Sequence, residues 1–129
     1  MKFNQLKTFE AACKVEGLNA KKVIPSFAEY PKQDRKAMIA HAKLVIIARA
    51  ANRLANEGKE WTPDWNNRQW DKYHIWFWMN GGSRGFRCAV YDRWDSASTV
   101  GSCLCFISKE VAEHVGKTFL KLYKEYFTV

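Results

Sequence analysis

All six tryptophans fall between residues 61 and 94, interleaved with arginines. Two groups of these residues have types and spacings that do chemistry. The first lies in two stretches that alternate like strands, where side chains point to opposite faces at a period of two. Tyr73, Ile75, Phe77 and Met79 share one face of the first stretch; His74, Trp76 and Trp78 share the other. In the second stretch Phe86, Cys88, Val90 and Asp92 share a face, and Arg87, Ala89, Tyr91 and Arg93 share the other. The set His74, Trp76, Trp78, Arg87, Tyr91 and Arg93 can therefore gather on one side of a sheet. Rings beside guanidinium groups are what single-stranded nucleic acid uses, because bases stack on rings and phosphates pair with arginine. Trp76, Trp78, Arg87, Tyr91 and Arg93 are the candidate nucleic-acid-binding residues, although no RNP-like motif accompanies them. The bland alternative is that a helix covers this face and the tryptophans are core.

The second group is Trp61, Trp65, Arg68, Trp70 and Trp94, in or beside loops. Trp and Arg are common anchors of protein interfaces, so these five form the alternative candidate, a protein-binding patch. Flat apolar rings beside Asp and Asn also suit a sugar. A tryptophan-rich minicore pinning a long loop is the competing structural reading.

Other chemistry fares worse. Cys103 and Cys105 lie one residue apart in an apolar stretch, a poor spacing for zinc, which wants soft ligands wrapped by a loop. Cys13, Cys88, Cys103 and Cys105 read as small buried hydrophobes, and no metal or cofactor is expected. His41, His74 and His114 are scattered, and nothing resembles a nucleophile elbow. Asp92 and Asp95 are spaced as solvated turn acids rather than a working pair. Gly81-Gly82-Ser83-Arg84-Gly85 lacks the Lys and Ser/Thr of a phosphate-cradling loop. The expectation is a protein without catalysis.

The elements that must position these residues are legible in outline. Thr8 stands where an N-cap belongs and Gly17 where a short helix closes, giving a helix over 8–17. Pro31 and Gly58 bracket a long helix, about 32–57. Met38, Ile39, Ala42, Val45, Ile46 and Arg49 follow helical spacing. Leu44–Ala48 is apolar on every face, so this helix must be covered on more than one side. Tyr73–Met79, Phe86–Trp94 and Ser102–Ile107 read as strands, the first two joined by the glycine-rich loop, giving a sheet over about 72–107. Ser108 caps a C-terminal helix, 109–127, with a stripe of Val111, Val115, Phe119, Leu122 and Tyr126. The expected fold is one α+β domain over 1–129: a small three-stranded antiparallel sheet, with the long helix and the C-terminal helix packed on it.

The chain is 129 residues with 47% apolar and 26% charged residues, which excludes a disordered tail or a fibre. Its net charge of +8 favours acidic partners, above all nucleic acid. The excess is +4 in residues 1–36, +2 in 37–60, and +1 in each of 61–108 and 109–129. It is spread out and forms no basic arm. No apolar run approaches the ~20 residues needed to cross a bilayer. The first thirty residues hold no signal-like apolar segment, so a cytoplasmic, reducing location with free thiols is expected.

The stretches Ala40-His41-Ala42-Lys43-Leu44-Val45-Ile46-Ile47-Ala48, Val100-Gly101-Ser102-Cys103-Leu104-Cys105-Phe106 and Tyr123-Lys124-Glu125-Tyr126-Phe127 resemble small, uncharacterised proteins encoded by phages and prophages of gut bacteria. The resemblance extends over nearly the whole chain. One departure is His74-Ile75-Trp76-Phe77, where the resembled proteins often hold a proline before Trp-Phe; it bears only on where the first strand starts. The resemblance implies an accessory or virion-associated phage protein in the host bacterial cytosol, and carries no catalytic residue across. Its partner would be nucleic acid, or a host or phage protein.

Overall fold

The structure, a computed structural model, describes residues 1–64, 66, 72–78, 87–94 and 104–128, with positions 72, 76, 78 and 87–94 described as backbone. A 3-10 turn over Phe3–Gln5 leads into α1, Phe9–Glu16. Thr8 Oγ1 accepts from the Ala11 N–H at 3.1 Å, satisfying one of the donors a helix start leaves open. Gly17 takes the left-handed conformation, φ 69°, and ends α1. The N–H groups of Leu18 and Gly17 then return to the carbonyls of Cys13 and Lys14, a Schellman closure.

The long helix α2 spans Lys32–Ala55, and Glu57 and Gly58 end it with positive φ values of 58° and 82°. Its buried side is Ala37, Ala40, Leu44, Ile47, Ala48, Ala50, Ala51 and Asn52. The stripe that helical spacing suggested lies beside this one. Val45 and Ile46 are only half-buried, and the alanines are the residues that disappear. Small side chains let neighbouring helices approach, and α2 packs against α1, α3 and α4.

The C-terminal helix is two helices, α3 over Lys109–Thr118 and α4 over Leu120–Phe127. Ser108 Oγ caps α3 by accepting from the Val111 N–H at 3.3 Å. The ladder breaks at Phe119, whose ψ of 29° leaves the α region. The buried stripe nevertheless continues across the break through Val111, Val115, Phe119 and Tyr123, because all four sink into one core.

The expected three-stranded α+β sheet is not found among the described residues. Among the described residues the fold is mostly helical, and its paired strands are a two-stranded antiparallel ribbon, β1 (Lys72–Trp78) with β2 (Arg87–Trp94). Residues 104–107 meet β1 at one isolated bridge: Phe106 and Tyr73 exchange backbone hydrogen bonds of 2.9 and 3.2 Å. The other edge of this stretch is occupied as well. There the Asn52 amide donates to the Cys105 carbonyl at 2.9 Å and accepts from the Ile107 N–H at 3.0 Å. One side chain of α2 thus occupies the backbone groups a further strand would have paired, and Ser108 starts a helix immediately afterwards. Leu104, Cys105 and Phe106 are buried in the core between ribbon and helices.

Candidate nucleic-acid interface

The ribbon is built by the alternation read from the sequence, and its register decides which residues share a side. Tyr73 pairs with Arg93, Ile75 with Tyr91, His74 with Asp92 and Trp76 with Val90. A bulge then falls between Trp76 and Phe77, after which Phe77 pairs with Cys88 and Trp78 with Arg87. Register partners in an antiparallel ribbon lie on the same side. The five candidate positions therefore divide: Trp76, Trp78 and Arg87 in one set, Tyr91 and Arg93 in the other.

The two sides meet different surroundings. Tyr73, Ile75 and Phe77 are packed against the hydrophobic core. Phe77 stacks on Tyr123 of α4, with ring centres 4.7 Å apart and planes at 30°. Helix α3 packs against both strands. The helices therefore cover the Tyr73–Ile75–Phe77 side, and Tyr91 and Arg93 are register partners of that side. The opposite set includes His74, which is itself buried at 6% exposure.

Of the alternative patch, Trp65, Arg68 and Trp70 lie outside the described residues, and Trp94 is fixed only by its backbone pairing with Lys72. Trp61 is half-buried after the end of α2. It lines a groove of about 90 Å³ with Val45, Arg49, Asn52, Thr62, Pro63 and Cys105, room for about three waters.

Two arrangements escaped the sequence reading. The Glu16 carboxylate, 3% exposed at the end of α1, receives Arg53 Nε at 2.5 Å, with Arg49 Nε at 3.8 Å. Arg49 also pairs with Glu60, and the Glu16 hydrogen bond holds Arg53 above its ordinary pKa. The i,i+4 spacing of Arg49 and Arg53 was visible, but their partner lies 37 residues from Arg53. The second is an open cleft of about 300 Å³ between the 3-10 turn and α3, lined by Phe3, Asn4, Glu110, Glu113, His114, Lys117 and Thr118. His114 Nε2 donates to the Leu6 carbonyl at 2.7 Å, and its Nδ1 lies 3.5 Å from Thr118 Oγ1. Through these contacts the imidazole ties the N-terminal segment to α3.

Cys13 and Cys105 are buried. Burial, with Glu10 nearby, pushes the Cys13 pKa up. Among the described residues no cluster of His, Cys, Asp and Glu is placed to hold a metal ion, and no helix is long and apolar enough to cross a membrane. Compared with protein-family models, curated proteins and solved structures, the chain matches none.

Proposed function

We propose that the protein is a non-catalytic, phage-type accessory protein of the host cytosol that binds nucleic acid through the Trp76, Trp78 and Arg87 side of its ribbon. The observation that carries this reading is the register. It groups two tryptophans with an arginine on the side away from the one turned to the helices. The +8 charge supplies the long-range attraction such a surface needs. Stacking on each ring contributes ~1–3 kcal/mol, and the arginine takes a phosphate or stacks in turn.

A mobility-shift titration at several salt concentrations tests this. Affinity should fall steeply with salt, and Arg87→Gln should lower the slope of log affinity against log salt by about one. Affinity that ignores salt, or no binding at low salt, contradicts the reading.

The second reading is a protein-interaction module, an inhibitor of a host factor or a virion component, using Trp61, Trp65, Arg68, Trp70 and Trp94. Its support is the half-exposed Arg49 beside the half-buried Trp61, the residue pair common at interface anchors. Pull-down from host lysate with Trp65→Ala and Trp94→Ala variants separates the two. Folded variants that keep every partner exclude the loop patch.

A further inference from the structure

We propose that residues 59–63 are a strap that closes over the groove beside α2, and that the Arg49–Glu60 ion pair is its latch. Trp61, Thr62 and Pro63 line this groove of about 90 Å³ from the strap, and Val45 and Arg49 line it from α2. Asn52 and Cys105, also on its lining, are 3% and 1% exposed and mark its deep end. The strap leaves α2 through a turn that side chains disfavour: Glu57 has a positive φ of 58°, and Gly58 follows at 82°. A hinge of that kind persists only where neighbouring contacts hold it.

Among the described residues those contacts are long or open to solvent. The Asn56 amide donates to the Lys59 and Glu60 carbonyls at 3.2 and 3.3 Å, and Arg53 Nη1 donates to the Gly58 carbonyl at 3.3 Å. All three sit at exposed positions, at the long end for hydrogen bonds. The Arg49–Glu60 pair joins side chains that are 46% and 54% exposed, so it is weak and screened by salt. Arg49 also has a second partner, for its Nε lies 3.8 Å from the Glu16 carboxylate, which is 3% exposed. Release of Glu60 therefore does not strand the guanidinium, because a buried carboxylate still faces it. The result is a two-position element, closed on Glu60 or open with Arg49 left to Glu16. Opening bares the deep end, where Asn52 holds the Cys105 carbonyl and the Ile107 N–H. The strap thus gates access to the junction between α2 and the segment that leads into α3, whatever the ribbon binds.

Alkylation of Cys105 reports the open position. Cys13, equally buried at 1% but not on the groove's lining, is the control for unfolding of the whole chain. The full chain, reduced beforehand with a phosphine, is treated with iodoacetamide, and modification at each cysteine is read by peptide mass spectrometry. Glu60→Gln removes the latch, whereas Glu57→Gln removes an exposed charge from the same turn. Glu60→Gln should speed Cys105 alkylation about fivefold at low salt, with Cys13 and the Glu57→Gln variant unchanged. Wild type should rise toward the Glu60→Gln rate in about 0.5 M salt, and Glu60→Gln itself should not respond. Cys105 alkylation no faster in Glu60→Gln than in Glu57→Gln, or Cys13 rising in step with it, overturns the strap. A Glu60→Gln rate that climbs with salt as wild type does also overturns it, because the latch would then lie elsewhere.

Discussion

Asn52 joins α2 to the segment that leads into α3. Its amide serves the Cys105 carbonyl and the Ile107 N–H while only 3% exposed. Replacing it with Ala removes both hydrogen bonds, the buried one to the Cys105 carbonyl and the part-buried one from the Ile107 N–H, at ~1–3 kcal/mol each. Asn52→Ala should therefore lower unfolding stability by about 3 kcal/mol in urea denaturation, with the m-value unchanged. The Cys13 thiol gives a second expectation at this scale. Its folded pKa is raised above an ordinary value of 9.0, so above that pH the folded state keeps a proton that the unfolded state releases. Stability should fall as pH rises past about 9, and Cys13→Ala should flatten that fall in pH-dependent melts. Local signals of this kind divided sharply in the sequence. The caps at Thr8 and Ser108 were legible because a cap needs only residues three positions away. Asn52 was not, because its partners lie 53 and 55 residues further on.

The helices were legible as elements because Pro31, Gly17 and Gly58 punctuate the chain, and their ends fall within two residues of expectation. Gly17 occupies left-handed backbone with open space around it, so only conformation opposes a side chain there. Gly17→Ala should cost about 1 kcal/mol by chemical denaturation. The stripe on α2 was misplaced because apolarity was read from large residues, whereas close helix packing buries alanines. The third strand was misread for a related reason. Ser102–Ile107 has strand-like residues, but its described part, 104–107, meets β1 at a single bridge before Ser108 caps α3, so residue type alone did not decide the pairing. At the end of α1 the buried Glu16 carboxylate is balanced by Arg53 and Arg49. Removing its charge leaves the Arg53 guanidinium without its carboxylate, while Arg49 keeps its pairing with Glu60. Glu16→Gln should destabilise by ~1–2 kcal/mol, and Arg53→Gln made in the same background should cost less than it does alone, as a double-mutant cycle would show.

Across the whole molecule, α1, α3 and α4 gather around α2, and the ribbon lies against α3 with its Tyr73–Ile75–Phe77 side turned inward. The sequence announced the ribbon's alternation and its tryptophans, but not the bulge after Trp76 or the pairing that separates Tyr91 and Arg93 from Trp76, Trp78 and Arg87. Register depends on how two strands meet, which neither strand encodes alone. Binding of nucleic acid through this side requires the Trp76 and Trp78 indoles to be open to solvent and to a ligand. Oxidative footprinting read by mass spectrometry measures this directly at Trp76 and Trp78, with and without a single-stranded oligonucleotide. The account predicts that both indoles oxidise readily in the free protein and are protected when the oligonucleotide is present. Rings that resist oxidation in the free, folded protein, or oxidise equally with and without the strand, would contradict it.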